Sequence, residues 1–174
     1  MKKHLIKYQQ IKTLFVKFEQ TKKVKSLGVE IKSQGNMTVR HPDFILWKIT
    51  APSEMSVTMS GSNVIIVSKN FEGKELIQKY NFQNMLSDRT SKSMLYLTKW
   101  LQLDAKFIAD NYTIYELEKN HYQFHPKQKE ESPFSELEIQ VSKRGDVSKL
   151  ILKEINDDEI YFTFESPVLN KDKR

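Results

Sequence analysis

Segments near 22–27, 29–41, 44–50, 54–60 and 63–69 each alternate apolar and polar residues or are rich in β-branched ones, the pattern of strands. Each run stops at turn chemistry: Gly28, Pro42-Asp43, Pro52-Ser53 and Gly61-Ser62. Residues 74–80 supply one more strand. Serial short strands with short connections argue for an antiparallel meander. The stretch 35–47 is the sharpest part. Met37, Val39 and His41 alternate with Asn36, Thr38 and Arg40, so one set lies on each face of a sheet. Pro42 interrupts the ladder because it has no N–H to donate. In the next strand, Ile45 and Trp47 fall on one face and Phe44 and Leu46 on the other.

Strands resume at 112–119, 122–125, 137–142, 147–155 and 160–165, with turns at 143–146 and 156–158. The Arg-Gly-Asp within 143–146 is read as a hairpin turn built on its glycine, not as an adhesion motif. The polar run 127–132 reads as a loop. Two stretches read as helical. In 3–21, Ile11, Leu14, Phe15 and Phe18 follow the i, i+3, i+4, i+7 spacing of one helix face. In 83–109, Asp88 offers a cap, and Met94, Leu95, Leu97, Trp100, Leu101 and Leu103 are apolar on more than one face. A helix with so wide an apolar surface must be buried or must cover something greasy.

At 174 residues the chain is expected to form one domain, 1–174. No stretch approaches the roughly 20 apolar residues that span a bilayer. The charge of +6 is spread over short clusters at 2–7, 22–25 and 171–174 rather than gathered in one stripe, so no nucleic acid is expected as a partner. There is no cysteine, hence neither disulfide nor thiolate chemistry. His121 and His125 can share a strand face, but two ligands do not make a zinc site, and no metal is expected. No glycine-rich phosphate loop and no Gly-x-Ser-x-Gly elbow is present. No enzyme activity and no cofactor is expected.

Gly35, Met37, Val39, Arg40, Pro42 and Trp47 together resemble the signature of the LolA-type lipoprotein carriers, which runs Gly, two alternating apolar residues, a basic residue, then Arg-Pro-x-x-Phe-x-Trp. Phe15-x-x-Phe18-x-Gln20, Pro52, Gly61 and Tyr122-x-Phe124-x-Pro126 extend the likeness along the chain. Three positions depart from it: Ile45 stands where the family has Phe, His41 where it has Arg, and Ser60 where it has Asp. The resemblance implies an α+β fold, a curved antiparallel half-open β-barrel with helices covering the concave face. It implies a periplasmic carrier of lipoprotein acyl chains or a related lipid, its signal peptide already removed. The implied partners are an inner-membrane lipoprotein-releasing transporter and an outer-membrane acceptor, and the carrier is expected to be a monomer. A lipid-sensing regulatory module of the same fold is the alternative.

On that reading the lipid cavity is lined by Met37, Val39, Ile45, Trp47, Val57, Met59, Met94, Leu97, Trp100 and Leu101. Methionines suit an adaptable apolar wall, and Met55 and Met85 join those already named. The family's arginine is a latch that hydrogen-bonds the lid backbone, so His41 is the latch candidate. Histidine has fewer donors than arginine and titrates near pH 6.5.

Overall fold

A computed structural model describes residues 11–81 and 89–169. The strands are β1 (Thr13–Val24), β2 (Val29–Arg40), β3 (Phe44–Ala51), β4 (Met55–Ser60), β5 (Asn63–Lys69) and β6 (Glu75–Asn81). Two helices follow, α1 (Arg89–Leu101) and α2 (Ala105–Asn111). Then come β7 (Tyr112–Glu118), β8 (His121–Pro126), β9 (Phe134–Val141), β10 (Val147–Glu154), β11 (Glu159–Phe164) and β12 (Val168–Leu169). They form one antiparallel sheet in the order β6-β5-β4-β3-β2-β1-β11-β10-β9-β8-β7, with β12 added beside β1. The sheet is not closed: β6 and β7 are its two edges, and in the chain α1 and α2 lie between them. The half-open barrel with helical cover expected from the resemblance is therefore the observed fold.

The long central strand β1 corrects the amphipathic helix expected over 3–21, whose first residues lie outside the described ones. Leu14, Val16 and Phe18 are buried while Phe15, Lys17 and Glu19 are exposed. That is a period of two, overlaid on the spacing that suggested a helix. Pairing decides between them: β1 is flanked by β2 along its whole length and by β11 from Phe18 to Lys23. Two further differences are smaller. The strand expected to begin at 137 begins at Phe134, and the short β12 was not anticipated. Asp88, the expected cap, lies outside the described residues.

The register makes the core legible. Leu14, Val39, Ile45, Met59 and Val64 stand side by side in one row across five strands. The next row is Val16, Met37, Trp47, Val57 and Ile66. On the other wing, Phe162, Leu150, Ile139 and Tyr122 form a row, and Ile160, Leu152, Leu137 and Phe124 the one beside it. All of these are buried except Ile66, which is partly so. The two wings meet at β1, where Phe18, Trp47 and Phe162 pack with ring centroids 5.8–6.0 Å apart.

Candidate functional site

The inward face of the sheet is an apolar floor with polar ends. At one end the inward-facing Lys22 donates to Glu154 at 3.0 Å and lies 3.8 Å from Asp158. Asp158 is buried and accepts the Lys25 backbone N–H at 2.9 Å. At the other end stand His41, just past β2, and Asp104, between the helices. No charged side chain occurs in the four floor rows. Such a surface recognises hydrocarbon through dispersion and the hydrophobic effect, which carry little directional information.

The helices cover this floor. Tyr96, Leu97, Thr98 and Trp100 of α1 and Ile108 of α2 are buried, and Leu101 is half-buried. Trp100 meets Tyr112 and Phe124 edge-on at 4.8 and 4.7 Å, and Tyr96 meets Phe107 at 5.1 Å. A polar contact also joins helix to floor: Thr98 Oγ1 donates to Met59 Sδ at 2.8 Å. Burial raises the pKa of the Tyr112 hydroxyl, so it stays neutral under the cover.

The join between the helices is built by Leu103 and Asp104. The Leu103 N–H donates to Trp100 O and the Asp104 N–H to Lys99 O, closing α1 with Leu103 at φ 50°. Left-handed backbone costs a residue with a Cβ about 1–2 kcal/mol, and the burial of Leu103 holds it there. Asp104 then caps α2, accepting the Phe107 N–H at 3.0 Å and the Lys99 ammonium at 2.9 Å. Burial works to raise the Asp104 carboxyl, but those donors hold it below its usual value. His41 lies within the field of this carboxylate. Burial lowers the imidazole pKa, and Asp104 pulls it partway back. The latch candidate thus feels the charge of the carboxylate that caps α2. Sequence reasoning missed Asp104, although an Asp before a run of helix formers is a cap signal.

Of the candidate cavity residues, Met37, Val39, Ile45, Trp47, Val57 and Met59 lie together on the floor, and Leu97 and Trp100 press on it from α1. Met37, Trp100 and Leu101 also line a small apolar crevice. Its volume is ≈ 40 Å³, between Leu14 and Val16 on one side and Leu150 and Phe164 on the other. The Met94 side chain and Met85 lie outside what is described, and Met55 is half-buried at the rim of the floor. Among the described residues this apolar crevice is far smaller than a long acyl chain needs, and Leu97 and Trp100 are buried against the floor. Larger hollows, of ≈ 450 and ≈ 480 Å³, are lined mostly by charged and polar residues. Three polar atoms among the described residues are buried without a partner, Trp47 Nε1, Trp100 Nε1 and Gln20 Oε1. Arg40 points away from the floor, its guanidinium 4.5 Å from the Phe44 ring.

His121 and His125 lie on the convex face, bonded to Glu138 and Gln123 at 3.0 Å each. No group of three His, Asp or Glu side chains among the described residues stands close enough to hold a metal ion. No described helix is long and apolar enough to cross a membrane.

An open antiparallel half-barrel with a helical cover over an uncharged floor defines the lipid- and lipoprotein-binding class of carriers. Residues 9–173 match the model of the outer membrane lipoprotein carrier protein LolA, and the chain belongs to the LolA family. Among solved structures it is similar to the lipoprotein LppX of Mycobacterium tuberculosis, at 11% identity over 99% of this chain and 94% of that one, with a TM-score of 0.53. It is also similar to a LolA superfamily protein of Nitrosomonas europaea, at 8% identity over 98% and 93%, with a TM-score of 0.47. No curated protein matches the chain. These likenesses concern the fold.

Proposed function

We propose that this protein carries the acyl chains of lipoproteins, or of a related lipid, in a space that opens when α1 and α2 move away from the floor. The observation that carries this reading is the floor itself. It holds four rows of apolar side chains without a charge, and it is covered by a helix whose apolar side chains take the place of a ligand. A sixteen-carbon chain represents on the order of 10 kcal/mol of hydrophobic free energy at ~0.8 kcal/mol per buried CH₂. That is of the same order as what the cover gains by burying Leu97, Trp100 and Ile108, at about 1.5–3 kcal/mol per large apolar side chain.

The unpartnered Trp47 N–H and Gln20 carbonyl support a lipid with polar linkages over plain hydrocarbon. Each unmade bond costs about 1–3 kcal/mol in the closed form. An ester carbonyl accepts from the indole, and an amide N–H serves the glutamine. The family supplies the wider setting, a periplasmic shuttle between an inner-membrane releasing transporter and an outer-membrane acceptor. His41 serves as a weaker latch than arginine, acting at the α1–α2 joint through Asp104.

Native mass spectrometry of the protein purified from a lipoprotein-producing cell tests the reading, with bound diacylglyceryl or N-acyl species expected. A protein that stays lipid-free there, and on mixing with acylated peptide, overturns it. Replacing His41 with Arg is expected to slow lipid release; an unchanged rate removes His41 from the mechanism.

A further inference from the structure

We propose that the β6 edge is a pairing surface for a second copy of this chain, related by a two-fold axis that sets Ile77 opposite Ile77 and Glu75 opposite Lys79. This departs from the monomer expected from the sequence and is independent of what the floor binds.

The register within the β5–β6 hairpin fixes which backbone groups are available. The Asn70 N–H donates to Lys74 O. Hydrogen-bonded and non-bonded pairs alternate along an antiparallel ladder. Counting from that bond, Leu76, Gln78 and Tyr80 turn their N–H and C=O groups toward β5, where they face Ser68, Ile66 and Val64. Glu75, Ile77 and Lys79 turn theirs outward, where the sheet ends. An antiparallel copy centred on Ile77 therefore brings together three hydrogen-bonded pairs, Glu75 with Lys79, Ile77 with Ile77, and Lys79 with Glu75.

The side chains agree with the same register. Glu75, Ile77 and Lys79 share the convex face, so the pairing sets each carboxylate directly across from an ammonium with isoleucine at the centre. Directly opposed unlike charges stabilise a ladder, and like charges destabilise it. Lys79 makes no ion pair among the described residues. Lys69, the register partner of Glu75 in the adjoining strand, is held by Glu54 at 2.5 Å. The apolar residues of this edge are uncovered, Leu76 at 47% and Ile77 at 57% of full exposure. Joined two-fold, Val67 and Ile77 of each copy make one apolar strip across the seam. A lone edge lysine is a common guard against strand addition. Here Glu75, two residues before Ile77, is set across from the Lys79 of the other copy and cancels that guard for this one partner. The other edge has no such match: β7 ends in a register shift between Glu116 and Glu118 and sets carboxylates near its end.

Sedimentation of the full chain over a concentration series, with four variants, tests the proposal. The wild type is expected to form dimers in the micromolar range. Glu75→Lys and Lys79→Glu each oppose like charges and are expected to raise the dimer dissociation constant at least tenfold, and the double swap E75K/K79E to restore it. Because the chain has no cysteine, Ile77→Cys is expected to cross-link to its own counterpart on mild oxidation. Cα atoms about 5.5 Å apart in a hydrogen-bonded pair suit a disulfide. All three positions are exposed, so unchanged melting curves are expected to accompany each result. A wild type that stays monomeric to about 1 mM, or self-association that single reversals leave unchanged, overturns the proposal. So does an Ile77→Cys chain that fails to cross-link.

Discussion

At Gly35 the backbone of the neighbouring strand β3 leaves no room for a side chain. A Cβ built on it falls 1.9 Å from the Lys48 carbonyl oxygen, a backbone atom that cannot swing aside. The strand pair irregularity between Gln34 and Gly35 lies at the same place. Gly35→Ala is therefore expected to destabilise the fold by about 1–3 kcal/mol, as overpacked sites do; a urea melt at neutral pH measures it. His41 gives a pH signature of defined sign. Its folded pKa lies below the ordinary 6.5, so between the two values the unfolded chain binds more protons than the folded one. Stability from this group is complete above about pH 6.5 and is lost as the pH falls through that value. His41→Gln does not titrate, and its stability is expected to be flatter over that limb. A wild type and a variant with parallel curves between pH 7 and 5 would contradict the account of the joint.

At the scale of elements, the cover consists of two short helices joined at Leu103 and Asp104, and the opening proposed above separates α1 from β4. Joining Thr98→Cys to Met59→Cys with a short thiol-reactive bridge is expected to reduce lipid uptake at least tenfold, read with a fluorescent fatty acid. Either single variant treated alike is expected to keep it. Most of these elements could be read from residues. Gly28, Gly61 and Gly145 all take positive φ at the turns their positions announced, and the alternation of Met37 with Val39 and of Ile45 with Trp47 gave the buried face directly. β1 was misread because Leu14, Phe15 and Phe18 satisfy a helical spacing, which its pairing with β2 and β11 and the exposure of Phe15 in the folded sheet reject. The floor residues were legible for the same reason as the strands. What was not legible was how much space lies beneath the cover, since that depends on the depth to which Leu97 and Trp100 sink, a property of packing between elements distant in sequence.

For the whole molecule, the proposed reading makes the sheet a trough and the helices its removable filling. Lys22 with Glu154 closes one end with polar groups and His41 with Asp104 stands at the other, so on that reading cargo enters from the side the helices cover. The chain contains two tryptophans, and they report on the two surfaces that must part: Trp47 is on the floor and Trp100 on the cover, both buried. The most direct measurement is their fluorescence during titration with a fatty acid brominated along its chain. Saturable quenching of both, with Trp47→Phe and Trp100→Phe each retaining the share of the other, is the predicted result. Emission that stays unquenched while the unbrominated acid also fails to bind would show that the interior never admits hydrocarbon.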